Sequence, residues 1–206
     1  MAYLLDRINQ QLTKEGYQPR TRQARDWLLN KISKLKPSRQ SLLNDRGRLV
    51  DDTLIGHMYF YFYEAKTKDK LPYYDRFPLV LPIEQYQNGF LGLNLHYINP
   101  KQRIVLLDKL SEFATNSKYD KTTRLRLTYD SLRATGKIYE QSACLKRYLY
   151  SNIESKFLKI EADEWDIAAL LPFESFIGAS SSKVWSESRK KFKFLICFTL
   201  INFYKN

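Results

Sequence analysis

One stretch of aromatic and aliphatic residues constrains the fold of this chain more than any other. Between Gly56 and Ile98 the sequence contains three runs rich in Tyr, Phe, Val, Leu and Ile, separated by polar segments with Lys, Asp, Asn, Gly and Pro. Such runs are typical of β-strands, and the segments between them are typical of turns. The runs are His57–Tyr63, Phe77–Ile83 and Gly89–Ile98. Because successive strands with short connections usually pair, we predict a three-stranded antiparallel meander.

Alternation within these runs predicts which faces they bury. In the first run, tyrosines alternate with Met58, Phe60 and Phe62, so the two sets lie on opposite faces of a strand. The tyrosine row is expected either to pack against a helix or to stack on bases. In the third run, the leucine face is expected to be the core face. In the second run, Pro78 and Pro82 predict a short strand or an edge strand, because proline cannot donate a hydrogen bond to a neighbouring strand.

Helical patterns flank this predicted sheet. Apolar residues recur at threes and fours in residues 1–18 and between Thr21 and Leu35, which predicts two amphipathic helices, with Thr21 as the N-cap of the second. The pair Asn99-Pro100 predicts another helix start. Further along, we expect strands at Arg124–Tyr129 and Ser155–Ile160, a helical turn at Asp130–Ala134, and helices at Glu140–Tyr150, Ala162–Leu171 and Ser181–Lys191. The predicted fold class is α+β, a small, curved antiparallel sheet (the meander plus short strands) packed with helices.

Charge and composition divide the chain into three predicted parts. Residues 1–53 are expected to form a basic helical N-terminal arm, in which Lys36–Thr53 is a linker or an extended segment because its periodicity is weak. Residues 54–192 are expected to form the α+β core domain. Residues 193–206 are an apolar, β-prone C-terminal tail, which predicts an added strand, a subunit contact or an exposed aggregation-prone segment.

The strong positive charge points to a polyanionic partner. The chain has 34 Lys and Arg against 22 Asp and Glu, a net charge of +12. Residues 14–48 alone contain ten basic and three acidic residues. This balance favours nucleic acid first, and an acidic membrane face or an acidic protein second. The clustering suits an arm that binds phosphate, although docking on an acidic subunit, or mere basicity without a polyanionic partner, explains it as well.

The connection between the first two predicted strands interleaves cations with aromatic rings. The segment Glu64–Arg76 holds four cations, Lys66, Lys68, Lys70 and Arg76, beside Tyr73 and Tyr74. Nucleic-acid grooves use this composition, the charges following the phosphates and the rings stacking on bases, but an exposed loop of any basic protein can share it. Trp27 is a further candidate for stacking. The predicted nucleic-acid-binding residues are Arg20, Arg22, Arg25, Lys31, Lys34, Arg39, Lys66, Lys68, Lys70, Tyr73, Tyr74 and Arg76.

No pattern in the sequence predicts catalysis, a metal or a cofactor. The only histidines are His57 and His96, no cysteine pair has zinc spacing, and no glycine-rich phosphate loop occurs. A metal-dependent nuclease is the enzymatic alternative, and it would need clustered carboxylates around Mg²⁺. The candidate cluster is Glu161, Asp163, Glu164 and Asp166, but these acids are spread around a predicted helix, and no strand-borne Asp followed by a Glu-x-Lys pair lies near them. We therefore expect no catalytic residue, no metal and no cofactor.

Membrane insertion and secretion are not predicted either. The first charged residues, Asp6 and Arg7, follow only five others, which argues against a secretory signal. The most apolar run, Phe194–Tyr204, is shorter than the ~20 residues that a spanning helix needs. Two cysteines, Cys144 and Cys197, fit a reducing compartment.

Specific sequence segments also indicate a family. The segments KTKDKLPYYDRFPLVLPIE, NGFLGLNLHYINP leading into RIVLLDKL, and KFLKIEADEWDIAALLPFESFIGASSSKVWSESRKKF carry the resemblance. Over about Gly56–Phe192 the chain resembles the DNA end protector proteins of T-even-like contractile-tailed bacteriophages. The resemblance implies a virion protein at the head–tail neck that guards linear genome ends from host exonuclease. It offers no catalytic residue to carry over, and the tail beyond Phe192 departs from the pattern.

The hypothesis from the sequence is a non-enzymatic phage virion protein that binds and protects the ends of packaged linear DNA. Its expected partners are double-stranded DNA ends and other phage structural proteins, with no membrane, and its expected location is the virion, assembled in the host cytoplasm. One alternative is an assembly protein of the neck or baseplate without a direct DNA role, and another is the nuclease. The DNA hypothesis requires that the clustered cations face solvent and are not held in internal ion pairs.

Overall fold

The computed structural model describes residues 3–44, 46–139 and 144–188. The helices within these ranges are α1 (Leu4–Lys14), α2 (Arg22–Leu35), α3 (Arg39–Leu43), α4 (Pro100–Ala114), α5 (Lys121–Tyr139), α6 (Trp165–Leu170) and α7 (181–188). The strands are β1 (Leu49–Val50), β2 (Met58–Phe60), β3 (Tyr74–Asp75), β4 (Leu79–Tyr86), β5 (Gly89–Asn94), β6 (Leu145–Leu149), β7 (Phe157–Ile160) and β8 (Phe176–Ile177). The α+β class is confirmed.

Six of the strands form one antiparallel sheet in the order β1-β7-β2-β4-β5-β6, and β3 pairs with β8 in a separate ribbon. Strands β2, β4 and β5 are neighbours, with Tyr59 opposite Val80 and Leu81 opposite Leu93. The predicted meander is therefore confirmed, and β7 and β6 extend it on its two sides. The predicted strand at Ser155–Ile160 is confirmed as β7, while the curvature of the sheet stays a prediction.

Strand β4 differs from its prediction in length and position. It has eight residues and lies between β2 and β5, so it is neither short nor at an edge. Pro82 lies opposite Gly92, and the register shifts between Pro82 and Glu84. Such a bulge leaves residues of one strand unpaired, so a proline can be placed inside a sheet without breaking the ladder on either side. The two prolines were therefore misleading about the position of the strand.

Helix α5 replaces the strand that alternation predicted at Arg124–Tyr129. The side chains of Leu125, Thr128 and Leu132 follow each other at helical spacing, and Thr128 and Leu132 are buried. Asp120 caps the helix, because its Oδ1 accepts hydrogen bonds from the backbone N–H groups of the second and third residues after it, at 2.9 and 3.1 Å. A short apolar run is compatible with both the strand period and the helix period. Here the cap at Asp120 and the packing of the buried side chains favour the helix.

Strand β6 corrects the helix predicted at Glu140–Tyr150, of which residues 140–143 lie outside the described ranges. Every residue of β6 pairs with β5, from Leu145 opposite Leu93 to Leu149 opposite Gly89. A Cβ at Gly89 would lie 1.9 Å from the carbonyl oxygen of Tyr148, so only glycine allows the two strands to approach here. Pairing with a distant strand therefore outweighs the local helical preference.

The main core lies between one face of the sheet and the helices. Met58 and Phe60 of the sheet share a cluster of buried side chains with Leu28 of α2, Leu107 of α4 and Ile167 of α6. The leucine face of the third run is confirmed as a core face, because its central leucines are fully buried there. The predicted helices at residues 1–18, 21–35, 100 onwards and 162–171 are also confirmed in this layer.

The opposite face of the sheet carries a second, aromatic cluster. Tyr59, Tyr61 and Tyr63 are exposed by 7% or less and pack with rings of neighbouring strands, including Phe157. The ring centroids of Tyr61 and Phe157 are 5.0 Å apart, close to edge-to-face. The predicted separation of tyrosine and phenylalanine faces is confirmed, but the tyrosines pack on other aromatic residues of the same sheet and not on a helix.

The N-terminal segment packs into the main core. Leu5, Ile8 and Leu12 of α1 and Leu42 of α3 belong to the main cluster. Lys36–Thr53, predicted as a linker or an extended segment, instead forms α3 and then β1, which pairs with β7. The division of the chain at residues 53 and 192 stays a prediction. The predicted tail at 193–206 and the end of the helix predicted at Ser181–Lys191 lie outside the described residues.

Candidate nucleic-acid interface

Several of the predicted phosphate-binding arginines are used inside the protein. On α2, the Nε atom of Arg25 lies 2.9 Å from Oδ2 of Asp166 in α6, and its Nη2 also pairs with Asp108 in α4. The Arg25 side chain is 17% exposed. Burial alone would lower the pKa of Arg25, but the hydrogen bonds to Asp108 and Asp166 outweigh it, and the pKa is raised. Arg25 therefore joins three helices.

Two further arginines of the predicted site are held in the same way. Arg39 donates from Nε to the carbonyl oxygen of Phe173 at 3.1 Å and from Nη2 to that of Glu174 at 2.9 Å. Arg20 donates to the hydroxyl of Thr115, just after α4, at 2.8 Å. These contacts hold α2, α3 and their connections against the rest of the fold.

A fourth arginine of this segment, Arg48, is also held by internal ion pairs, although it was not among the predicted site residues. The guanidinium of Arg48 pairs with Glu164 and with Asp6, and its side chain is 16% exposed. Four of the ten cations between residues 14 and 48 are thus bound to other elements of the chain. The others, Lys14, Arg22, Lys31, Lys34, Lys36 and Arg46, are exposed or half-exposed.

The outer surface of α2 keeps cations facing solvent. Arg22 is 94% exposed and lies 3.8 Å from Asp26, an exposed pair that contributes little to stability. Trp27, Lys31 and Lys34 follow at intervals of four and three, so they lie on one side of the helix, on the flank opposite to Arg25. The Nζ atom of Lys31 is 5.9 Å from the centre of the Trp27 ring.

The connection between β2 and β3 holds three exposed lysines. Lys66, Lys68 and Lys70 all face solvent, the last two in a short 3₁₀ turn. Lys68 lies 3.1 Å from Glu64, in a pair that is half-exposed. Arg76, which directly follows β3, pairs with Glu64 and with Glu154, the latter at 2.7 Å. The lysines of this loop, unlike Arg76, therefore present their charge to solvent.

Part of the predicted site forms the wall of a cavity. Lys66, Tyr73 and Tyr74 line a cavity of about 300 Å³ together with residues of β6. Sequence reasoning did not include Tyr63 or Tyr97, which also line the cavity. It missed Lys146, Arg147 and Tyr148 because it placed β6 in a helix. The residues LKRYL do not alternate between apolar and polar, so local periodicity offered no signal for this strand.

Two of the missed cations contact aromatic rings. Lys146 places its Nζ 4.6 Å from the centre of the Tyr97 ring, and Arg147 places its guanidinium carbon 3.7 Å from the centre of the Tyr86 ring. Both distances are within the range of cation–π contacts. Arg147 also donates to the side chain of Asn88. The aromatic wall thus carries positive charge along its edge.

A buried polar network supports the cavity from below. Oδ2 of Asp75 lies 2.7 Å from Nδ1 of His96 and accepts from Nδ2 of Asn94 at 3.2 Å. Its Oδ1 accepts from the backbone N–H groups of Phe77 and Ser175 at 3.1 and 3.3 Å. The carboxylate of Asp75, although it lines the cavity, is therefore occupied by donors of the protein itself.

The tyrosine hydroxyls of the cavity stay protonated at neutral pH. Burial, followed by the hydrogen bond to Glu187, raises the pKa of Tyr73 to about 12. Burial also raises the pKa of Tyr97 and Tyr148. The wall is therefore a set of neutral rings, and the charge comes from the basic side chains at its edge.

The acidic cluster considered for a nuclease is bound to other side chains. Glu164 pairs with Arg48, Asp166 with Arg25, Glu161 with Lys159 at 2.7 Å, and Asp163 accepts from Asn9 at 2.9 Å. In the described part of the chain, no group of three or more His, Cys, Asp or Glu side chains is arranged to hold a metal ion. None of the helices in the same ranges combines the length and the apolar character needed to cross a membrane.

Comparison with known proteins identifies the family. No curated protein and no solved structure shows a significant match to this chain. A family model described as Phage T4 terminal DNA protecting protein matches residues 4–190. This match covers most of the chain and includes the N-terminal helices, which the resemblance over Gly56–Phe192 left out. The chain therefore belongs to the phage T4 terminal DNA protecting protein family.

Proposed function

We propose that this protein binds the ends of linear double-stranded DNA in a phage particle and shields them without catalysing a reaction. The observation that carries the proposal is the family match across residues 4–190, because the family is described by terminal DNA protection. The net charge of +12 supports it, since phosphate contacts dominate binding that ignores sequence.

The geometry narrows the set of residues that would contact phosphate. Arg20, Arg25, Arg39 and Arg76 hold partners within the chain and are only partly exposed, unlike the exposed pairs of Arg22 and Lys68, so we assign them to the stability of the fold. We assign the phosphate contacts to two groups of side chains, namely cations on the outer surface of α2 and the exposed lysines of the loop between β2 and β3. These are Arg22, Lys31, Lys34, Lys66, Lys68 and Lys70. With six such contacts, affinity should fall by ~10³ between 50 and 200 mM salt.

A protecting role needs no chemistry from the protein. An end that is covered is closed to an exonuclease, and the coverage needs only contacts to phosphate and sugar. The contacts that hold Glu161, Asp163, Glu164 and Asp166 support this non-enzymatic role, because each carboxylate has a partner in the chain. We place the protein at the head–tail neck, beside other structural proteins of the particle, because an end protector has to stay with the end that it covers.

Gel shifts with linear and circular duplexes of the same sequence test this function. At physiological salt, linear DNA should bind more tightly than the closed circle, and added Mg²⁺ should cause no strand cleavage. Absence of DNA binding, or equal binding to both forms, would contradict end protection and favour an assembly role in the neck or baseplate. Mg²⁺-dependent cleavage that is lost in Asp163→Ala would instead establish the nuclease.

A further inference from the structure

We infer that the tyrosine-lined cavity binds a single unpaired nucleotide at the terminus of a DNA strand, so that the protein holds a frayed end and not the flat face of a closed terminal base pair. This inference rests on the proposed function and deepens it. It names the form of the DNA end that is recognised and the site that recognises it.

The shape of the cavity carries the first step. Of the tyrosines that line this recess of about 300 Å³, Tyr73 and Tyr74 are half-buried, whereas Tyr97 and Tyr148 are exposed by only 1% and 3% and are covered by other side chains of the protein. A terminal base pair that stays in the helical stack needs a flat, open ring on the protein surface. The rings of Tyr73 and Tyr74 lie instead in the wall of a recess, within reach of a base that has left the stack, as enzymes that extrude bases require. The cavity size lies at the lower end of the range for small-ligand sites, which suits one nucleotide.

The chemistry of the wall carries the second step. The cavity is lined by Tyr63, Tyr73, Tyr74, Tyr97 and Tyr148. Aromatic side chains that stack on an unpaired base contribute about 1–3 kcal/mol per base. Lys66 and Arg147 are exposed at the same cavity, and Lys146 lies over the Tyr97 ring. A ligand that combines a flat ring with a phosphate matches this combination of neutral rings and positive charge.

The hydroxyl groups of these tyrosines carry the third step. Tyr73 donates to Glu187 at 2.7 Å, Tyr74 donates to Glu64 at 2.8 Å, and the Tyr148 hydroxyl accepts from Asn94 at 3.0 Å. Since these three hydroxyls are engaged within the protein, their rings are held in place before binding, and little freedom is lost when a ligand enters. Because stacking uses the face of a base and not its edge, the site should accept any base.

The first test compares duplexes that differ only at one end, the other end being closed by a hairpin. The open end is blunt, carries a one-nucleotide overhang, or is blunt with a terminal base pair that is chemically cross-linked and so cannot open. We expect the overhang to bind most tightly and the cross-linked end about tenfold more weakly or worse, which is the loss of one stacked base. Changing the overhanging base should alter affinity by less than about threefold, since stacking tolerates every base.

A matched pair of variants locates the effect. Lys66→Gln and Lys70→Gln each remove one exposed charge from the same loop, but only Lys66 lines the cavity. Lys66→Gln should weaken binding to the overhang more than binding to the cross-linked end, because the nucleotide in the cavity loses a phosphate contact. Lys70→Gln should weaken binding to all ends alike. Thr67→Trp, at an exposed position of the cavity wall, should block the site while circular dichroism shows an intact fold.

Photo-cross-linking gives a direct map of the site. A 5-iododeoxyuridine at the overhang should cross-link to the cavity tyrosines, as located by mass spectrometry. Equal affinity for overhang, blunt and cross-linked ends, with linear DNA still preferred over a circle, would overturn this inference and leave the proposed function standing. Cross-links confined to residues outside the cavity would overturn it as well. Equal binding of linear and circular DNA would overturn the proposed function itself, and this inference with it.

Discussion

The basic N-terminal helices and the loop between β2 and β3 use positive charge in different ways. In the N-terminal segment, arginines such as Arg25 and Arg48 contact carboxylates of other helices and are mostly buried. In the loop, Lys66 and Lys70 face solvent. The first group stabilises the packing of the chain, and the second is available to a partner.

The difference follows from the chemistry of the two side chains. The planar guanidinium of arginine forms several hydrogen bonds in fixed directions and is weakly hydrated, so it is suited to partly buried ion pairs. The ammonium of lysine is compact and strongly hydrated, so it stays in water at the end of a flexible chain. A local excess of positive charge in a sequence is therefore evidence for a polyanion only after the internal ion pairs have been subtracted.

The largest expected effect separates two arginines of α2. Arg25→Met should lower the free energy of unfolding by about 3 kcal/mol, because it leaves Asp166, whose side chain is 10% exposed, without its cation. The matched change Arg22→Met, at a side chain that is 94% exposed, should lower it by less than about 0.5 kcal/mol. Denaturant unfolding measures both. Equal effects of the two variants would remove the distinction between structural and surface arginines.

The next effect concerns the loop and its affinity for DNA. Replacing Lys66, Lys68 and Lys70 together by Gln should leave the unfolding free energy nearly unchanged but weaken binding to linear duplex. Because each lost phosphate contact removes about one unit from the salt dependence, the slope of log affinity against log salt should decrease in magnitude by about 3. Fluorescence anisotropy between 50 and 200 mM salt provides the slope. An unchanged slope would show that these lysines do not meet phosphate.

A smaller effect is expected on the exposed flank of α2. Lys31→Gln combined with Lys34→Gln should reduce the same slope by about 2, since this change removes two phosphate contacts instead of three. The same anisotropy titration measures it. If this double variant lost more salt dependence than the triple loop variant, the N-terminal helices, and not the loop, would be the main DNA contact.

The smallest effect tests the cap of α5 through pH. Hydrogen bonds from Thr123 hold the pKa of Asp120 below its usual value. The carboxylate therefore stabilises the fold fully above the pKa of an unfolded aspartate, about 3.9, and this contribution is lost as pH falls through the lower pKa of the folded state. Asp120→Ala should be less stable than the parent at pH 7, and the difference should shrink as pH falls below about 3.9, the pKa of an unfolded aspartate. A stability difference that stays constant as pH falls through this range would contradict the role of the charged cap.

Local periodicity was enough to predict much of the fold. The helices α1 and α2 follow from apolar residues at helical spacing, and Thr21 accepts from the backbone N–H of Ala24 at 3.2 Å, as its N-cap position predicts. The start of α4 follows from Asn99 and Pro100. These features depend on residues within one or two turns of each other, and such residues are adjacent in the sequence.

Features that depend on distant residues were not predictable in this way. Asp166 is 141 positions from Arg25, so no local pattern indicates that the two side chains pair. Strand β6 exists because of its pairing with β5, and the cavity joins Lys66 to Arg147 through that pairing. Sequence reasoning therefore found Tyr73 and Tyr74 as candidates but not the wall that they complete.

The most direct measurement of the central claim is exonuclease protection of a linear duplex at physiological salt. The intact protein should delay digestion from the ends, and the folded variant with Lys66, Lys68 and Lys70 replaced by Gln should lose most of that protection. Full protection by this triple variant would contradict the assignment of the loop lysines to the DNA end.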